Sequence, residues 1–347
     1  MTRPDRMRAW QVTRPGEPAE VLELREVPVP VPGPGEALVR TRAVAVNFPD
    51  VLLARGEYQV RPEPPFTIGI ELAGDVVEVG DAADRPAVAA PAGDAPAATS
   101  FAVGDRVVGS QIGVLSEYAV LPAAAVRLAP DSLDDAAAAA LTIAYQTAWF
   151  GLHRRAALQP GEWLLVHAAA GGVGTAAVQL GTAAGARVIG VVGSEEKAAV
   201  AAGAGAEVVL VRGRDDLVDG VKTATRGHGA DVVFDPVGGD AYDASTKCIA
   251  FEGRIVVVGF AAGTIQQVRA NHALVKNYSV LGLHWALYQQ RRPDLVQLAH
   301  DELARLAASG AIAPVVADVV SFADAPAAVQ RLAGGTTTGR LVVRVSD

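Results

Sequence analysis

Cysteine is almost missing from this 347-residue chain: Cys248 is the single one, which excludes an intramolecular disulfide and any zinc site built from several cysteines. Long apolar runs are missing as well. Nothing approaches the roughly 18 consecutive apolar residues that cross a bilayer, and the opening MTRPDRMRAW has no apolar core of the kind a secretory signal needs. The expected setting is the cytoplasm, with no membrane partner. Positive charge is in short supply: the formal net charge is −8 and no basic cluster occurs, so nucleic acid is not an expected partner. Histidine is sparse and scattered (His153, His167, His228, His272, His284 and His300), without the close spacing that zinc ligands adopt. The abundance of alanine and of arginine over lysine reads as codon bias rather than chemistry.

Half of the residues are hydrophobic and a fifth are charged, a globular composition with ample core, and the length accommodates two domains. The most informative stretch is Trp163 to Lys197. Trp163 to His167 is a short apolar run suited to a buried parallel strand. Ala169, Gly171 and Gly174 then fill the three small positions of a dinucleotide fingerprint, with alanine at the first. The first position permits a tight turn, Gly171 lets backbone N–H groups approach a pyrophosphate, and Gly174 lets the helix pack closely on the sheet. A helix starting near Val173, just after Gly172, points its positive end at that pyrophosphate. The second strand, Arg187 to Val192, ends in Gly193-Ser194 with no acid at its tip, where an NAD site places a carboxylate about 20 residues beyond the glycines. A carboxylate there repels a 2′-phosphate, and a small residue makes room for one. Ser194 offers a hydrogen bond, and Lys197 and Arg212 offer charge, so NADPH is the expected cofactor. The competing readings are that Lys197 and Arg212 are ordinary surface cations, and that Glu195 and Glu196 oppose the phosphate.

Up to about residue 130 the chain reads as short strands punctuated by Pro and Gly, with candidates at Met7 to Val12, Glu36 to Val46, Glu71 to Val79, Asp105 to Val108 and Glu117 to Val120, a compact, mostly antiparallel barrel-like domain. Asp81 to Ala102, rich in Ala, Pro and Asp, reads as a surface loop without chemistry. Asp134 to Thr147 has strong helix propensity. From Trp163 strands and helices alternate, with further strands at Glu207 to Val211, Asp231 to Asp235, Arg254 to Gly259 and Tyr278 to Leu283, the pattern of a six-stranded doubly wound parallel sheet. Arg291 to Ala308 predicts an amphipathic helix through Leu295, Leu298, Leu303 and Leu306. Val315 to Ser321 and Arg340 to Val345 read as strands that return to the first domain. The expected domains are 1–130 with 285–347, and 131–284.

These segments resemble the medium-chain dehydrogenase/reductase superfamily, in its zinc-free quinone oxidoreductase (zeta-crystallin-like) branch. The resemblance rests on AVAVNFPDVLLARGEY (43–58), PFTIGIELAGDVVEVG (65–80), FAVGDRVVG (101–109), LVHAAAGGVG (165–174), DPVGGD (235–240) and GRIVVVGF (253–260). It implies an α/β protein with a GroES-like catalytic domain plus a Rossmann domain. Zinc-dependent relatives carry a metal-binding Cys near the Asn47 position and a His in a GHE motif. Here the motif is Gly69-Ile70-Glu71, so isoleucine stands where the ligand would be. Alcohol oxidation that relies on zinc to stabilise an alkoxide is therefore not expected.

A nicotinamide without a metal suits an acceptor that is already electrophilic: quinones, enones or enoyl thioesters. The resemblance implies a cleft in which the nicotinamide faces Asn47, Tyr58 and Thr147, the expected catalytic residues. Asn47 either bonds cofactor ribose or substrate oxygen, or shapes the turn before Pro49. Tyr58 either donates to a developing oxyanion or packs in the core. Thr147 either lies at the nicotinamide or packs its helix. Asp50 reads as a structural acceptor and His167 as a satisfied buried histidine. Phe260, Leu283 and Trp285 either line the nicotinamide pocket or belong to core, and Lys276 and Asn277 are weaker cofactor candidates. The last strand of the parallel sheet is an apolar edge, which such proteins cover; relatives dimerise there, and a homodimer is expected. The leading expectation is a zinc-independent, NADPH-dependent reductase of quinones or similar conjugated carbonyls. The alternatives are an enoyl-thioester or enone (2-alkenal) reductase, for which Arg55, Arg61, Arg291 and Arg292 could form a cationic groove, and an NADPH-binding protein without turnover.

Overall fold

A computed structural model describes residues 3–80 and 101–346; nearly all of the loop expected over Asp81 to Ala102 lies outside the described residues. The chain divides into two compact units: one runs to Ile143 and adds Gln289–Ala308 and the chain from Val316 onward, and the other is Ala144–Tyr288 with Ser309–Val315.

The first unit is built on a seven-stranded, mostly antiparallel sheet. Its strands run in the order Val316–Ser321, Arg340–Arg344, Glu36–Ala45, Glu71–Val79, Arg106–Ser110 and Val126–Leu128, with Tyr118–Pro122 also pairing Glu36–Ala45. A smaller sheet sets Arg6–Val12 between Leu22–Pro28 and Phe66–Thr67. The long strand Glu36–Ala45 is buried at Ala37–Val39, Thr41 and Ala43–Ala45, and strands pair along both of its edges. The helix Phe48–Arg55 has well-defined ends: Pro49 in its first turn, Asp50 returning a bond to the Asn47 backbone, and Gly56 in the left-handed conformation (φ 71°) after its last residue.

The second unit is a parallel sheet in the order Val208–Val211, Arg187–Val192, Trp163–His167, Ala230–Asp235, Ile249–Val257 and Ser279–Gly282. Numbered along the chain this is 3-2-1-4-5-6, the doubly wound nucleotide-binding order, whose switch point lies at the carboxyl end of the first strand. All five residues of Trp163–His167 are buried, as expected of a strand covered on both faces.

Several expectations need correction. Asp134 to Thr147 is not one helix but two, Asp135–Ala139 and Thr142–Trp149, and the second runs on into a wider π-type turn over Phe150–Arg155. Alanine propensity favoured continuity, and tertiary packing overrode it. The amphipathic helix starts at Pro293, after a separate helix Trp285–Arg291. Its buried stripe is Val296, Ala299, His300, Leu303 and Ala307, whereas Leu298 is 54% exposed. The strands Leu22–Pro28, Phe66–Thr67 and Val126–Leu128 had no clear sequence signal, being largely polar or very short. Among the described residues no helix is long and apolar enough to cross a membrane.

Candidate functional site

The nucleotide turn is built from the end of Trp163–His167. Its left-handed residue is Ala168 (φ 50°), one position before the residue expected to make the tight turn. Ala169 instead donates its N–H to Val191 O at 3.0 Å, tying the turn to the neighbouring strand, and Gly171 N–H donates to Ala168 O at 2.8 Å. The helix begins at Gly172 and runs to Ala183, so the amides of Gly172, Val173 and Gly174 have no acceptor inside it. A side-chain carbon on Gly174 would sit 2.0 Å from Ala168 O, and one on Gly171 would sit 3.3 Å from the same atom. The turn therefore closes on itself without room for side chains, and its helix start fits a pyrophosphate. Thr175, missed in the sequence, adds a bond from its hydroxyl to Gly171 O at 3.0 Å.

The adjacent strand tips carry the cations. A side-chain carbon on Gly193 would lie 3.5 Å from Arg212 Nη2, so the guanidinium lies over that glycine. Arg212 N–H bonds Val192 O at 2.9 Å, fixing where its side chain starts. Lys197 lies close enough that burial and the Arg212 charge together hold its ammonium below the usual lysine range. Glu195 is ion-paired with Arg214, which also holds Asp215 at 2.6 Å, so its charge is engaged elsewhere. Ser194 is the residue before the helix Glu195–Gly203 and makes no capping bond with its hydroxyl.

Two buried ionisable groups sit at the switch point. His167 Nε2 and Ser245 Oγ are 2.7 Å apart, and Ser245 donates to Ala241 O at 2.7 Å; the single hydroxyl proton is thereby used, so the histidine donates from Nε2. Burial pushes its pKa down to about 4, against the opposing pull of Asp235. Asp235 accepts from Val237 and Gly238 N–H, both at 2.9 Å. His167 is thus a neutral, hydrogen-bonded residue of the interior.

In the first unit, Asn47, Asp50, Glu71 and Arg340 form a buried polar cluster. Asn47 Nδ2 donates to Glu71 Oε1 at 2.8 Å and to Ala45 O at 3.0 Å, and Asn47 Oδ1 accepts from Arg340 Nη1 at 2.9 Å. Arg340 Nη2 is ion-paired with Glu71 Oε1, and Glu71 Oε2 accepts from Ile143 N–H at 2.8 Å. The Asn47 amide is thus fully engaged within the protein, and its role here is to hold this cluster. Arg340 and the bridging role of Glu71 were missed. Glu71 stood in a noted motif, but Arg340 lies 269 positions away in sequence and had no local signal.

Asp50 is buried beside this cluster. Its Oδ2 accepts from Asn47 N–H at 2.8 Å while Oδ1 has no partner. Burial, only partly offset by the backbone bond from Asn47 and by the Arg340 charge, pushes its pKa up to about 7. An acid raised in the folded state favours folding fully below its unfolded value and loses that contribution as pH rises toward the folded value. Wild-type melting temperature is therefore expected to carry a falling component between about pH 4 and pH 7 that Asp50→Asn removes, since the amide oxygen keeps the bond to Asn47. Identical pH slopes in thermal scans of the two proteins would contradict this.

The remaining expected residues are dispersed. Tyr58 is half-buried against the first unit's core, and burial followed by the Asp50 charge raises its phenol pKa. Thr147 is buried on Thr142–Trp149, in the second unit. Trp285 is buried and donates from Nε1 to Gln146 Oε1 at 2.9 Å, which makes it a packed residue of that unit. Leu283 is half-buried, and Phe260 is 43% exposed. Lys276 is engaged with the Thr246 carbonyl at 2.8 Å, and Asn277 is the left-handed residue ending Ala270–Lys276.

Comparison with known proteins gives two family matches, "Alcohol dehydrogenase GroES-like domain" over residues 33–131 and "Zinc-binding dehydrogenase" over residues 172–301. A quinone oxidoreductase-like protein 2 homolog from Nematostella vectensis is 38% identical over 313 residues, 89% of this chain and 81% of that protein. The structure of Escherichia coli quinone oxidoreductase complexed with NADPH matches with a TM-score of 0.86 at 30% identity, covering 97% of this chain and all (100%) of that one. The phthioceranic/hydroxyphthioceranic acid synthase of Mycobacterium tuberculosis is 30% identical over 336 residues, 96% of this chain but 15% of that protein.

Proposed function

The chain belongs to the medium-chain dehydrogenase/reductase superfamily, in its zinc-free quinone oxidoreductase branch, and on that footing we propose that it is an NADPH-dependent reductase of quinones or similar conjugated carbonyls. The observation that carries the reading is the pairing of a closed glycine turn with Arg212, which follows Val208–Val211 and lies over Gly193 instead of an acid, and with Lys197 in the first turn of the helix Glu195–Gly203. The E. coli relative, solved with NADPH, supports the same cofactor. NADPH when bound supplies hydride to the conjugated position of the acceptor. The protein's own residues then bind and orient. The turn amides of Gly172 to Gly174 hold the pyrophosphate, Arg212 and Lys197 hold the 2′-phosphate, and Ser194 donates beside them. Phe260 and Leu283 offer apolar surface to the nicotinamide end. Ile70 offers no donor atom to a metal, and Asn47 has its amide engaged by Glu71 and Arg340, so the acceptor's own conjugation must delocalise the charge. Tyr58 is the group proposed to give a proton to the resulting oxyanion, its raised pKa keeping the phenol protonated at neutral pH.

The cofactor assignment has a direct test. Arg212→Ala with Lys197→Ala is expected to weaken NADPH binding about 10- to 100-fold, the scale of losing charge-assisted bonds, with NADH affinity nearly unchanged. Equal losses for both nucleotides would place the phosphate elsewhere.

The acid synthase segment raises the second reading, an enoyl thioester as acceptor. The cations available for its carrier's phosphates are largely engaged: Arg55 with Glu17 at 2.8 Å, Arg292 with Asp294 at 2.5 Å, and Arg61 with the Tyr58 carbonyl at 3.4 Å. That favours a small acceptor. NADPH oxidation by chelator-treated protein, measured against quinones, enones and enoyl thioesters, decides between them. Turnover on quinones supports the first reading, and turnover on thioesters alone the second. Nucleotide binding without any turnover would leave a binding protein.

We also propose a homodimer formed along Ser279–Gly282. That strand is the edge of the parallel sheet, and the helix before it exposes Leu274 and Val275 by 76% and 75%, surface that soluble proteins usually cover. Light scattering at micromolar concentration is expected to give twice the chain mass, and a monomer mass would sink the proposal.

A further inference from the structure

We propose that Arg214 is a specificity-determining positioning residue. By holding the Glu195 carboxylate it keeps Arg212 and Lys197 available to a 2′-phosphate, and so gives the chain its selectivity for a phosphorylated dinucleotide, a role that rests on NADPH being the cofactor. Two arginines two positions apart do different work here. Arg212 lies over Gly193, where a side-chain carbon would stand 3.5 Å from its Nη2, and among the described residues it holds no carboxylate. Arg214 holds two. Its Nη2 and Nε donate to Asp215 at 2.6 and 2.9 Å, and its Nη1 is ion-paired with Glu195.

The turn after Val208–Val211 is built to present Arg214 in this way. Gly213 takes the left-handed conformation (φ 82°). Asp215 N–H donates to Val211 O at 2.9 Å, and Asp215 Oδ2 accepts from Val211 N–H at 2.8 Å. The bonds from Arg214 and from the Val211 amide hold the Asp215 pKa down to about 2, so the carboxylate that grips Arg214 is ionised throughout the neutral range. One edge of the guanidinium is thereby fixed by a two-bond contact, which leaves Nη1 for Glu195. Glu195 opens its helix two residues after Gly193 and two before Lys197. A carboxylate set free there has Arg212 and Lys197 as its next cations and competes with a phosphate for both. The side chains of the Arg214–Glu195 pair are 52% and 65% exposed, and an ion pair so exposed adds little to folding. Its consequence is local: it neutralises one negative charge at the corner that must accept a phosphate. Glu196, next on the helix, is not held by Arg214.

The test is fluorescence titration of the full-length protein with NADPH and with NADH, read as the ratio of the two dissociation constants. Arg214→Ala is expected to weaken NADPH binding about three- to tenfold, the scale of one unit charge near an exposed phosphate, with NADH nearly unchanged. Arg214→Ala with Glu195→Gln is expected to restore the wild-type ratio, because the freed carboxylate is gone. Arg214→Ala with Glu196→Gln has the same net charge and is expected to leave the loss in place. The Arg214 and Glu195 side chains are more than half exposed, so these variants are expected to fold. A turn merely loosened by the loss of Arg214 would displace Arg212, and Glu195→Gln could not put it back, so absence of rescue overturns the proposal. Equal rescue by the two glutamine variants also overturns it, since net charge alone then accounts for the ratio. The Arg212→Ala, Lys197→Ala variant separates this role from the cofactor assignment. A changed ratio there beside an unchanged one in Arg214→Ala strikes the role of Arg214 alone, and unchanged ratios in both strike the two together.

Discussion

Replacing Arg340 by Met is expected to lower the unfolding free energy by about 3–5 kcal/mol, the cost of leaving one member of a buried ion pair unpaired. Removing the guanidinium strands the Glu71 carboxylate, which is fully buried, and takes the partner from Asn47 Oδ1. Two helix starts are held by this cluster. Asn47 precedes the helix Phe48–Arg55 and Glu71 binds the Ile143 amide at the start of the helix that carries Thr147. Urea unfolding should show a lower midpoint at unchanged slope. The double variant Arg340→Met, Glu71→Gln should recover part of the loss, because the unpaired charge is gone. A single-variant cost below about 1 kcal/mol, in the range of an exposed pair, would mean the cluster does not hold the unit together.

Gly174→Ala is expected to weaken NADPH binding about 10- to 100-fold, from an overpacking cost of roughly 1–3 kcal/mol. The new methyl group would stand 2.0 Å from the Ala168 carbonyl oxygen, with Ala168 C at 2.8 Å and Ala169 Cα at 2.9 Å. All three are backbone atoms of the turn, so nothing flexible can give way, and the helix start must move off the pyrophosphate. Gly203→Ala is the control, since nothing lies within 4 Å of a side-chain carbon there. Fluorescence titration with NADPH, alongside far-UV circular dichroism, reads both. Wild-type affinity in Gly174→Ala would mean that the turn relaxes freely and that its closeness is not what shapes the site.

The nucleotide half was largely legible because its signals are local. The strands Trp163–His167 and Arg187–Val192 fall where their apolar runs end, since a strand buried on both faces has no polar positions to blur its limits. Gly174 announces a close contact by lacking a side chain. The left-handed residue of the turn is Ala168, which the fingerprint could not announce because it records side-chain size and not backbone angle. Helix limits fared worse over 134–147, where a run of alanines has high propensity whether or not the chain turns between Ala139 and Thr142.

The catalytic half was legible only as strands. Asn47 and Tyr58 stood out as polar groups in a recognisable segment, but the sequence does not say which polar atoms are already engaged. The structure joins Asn47 to Glu71 and Arg340, from three strands and loops distant along the chain, and leaves one oxygen of Asp50 without a partner.

The sequence by itself determined the class of fold, the position of the glycine turn, the missing metal ligands and the absence of an acid after the second strand, because each depends on residues near one another in the chain. The tertiary structure alone decided that Arg212 lies over Gly193, that the Asn47 amide is occupied, and that Arg340 reaches the Glu71 carboxylate. Those facts depend on hydrogen bonds and packing between segments that only folding brings together, and no local pattern of residue types encodes them.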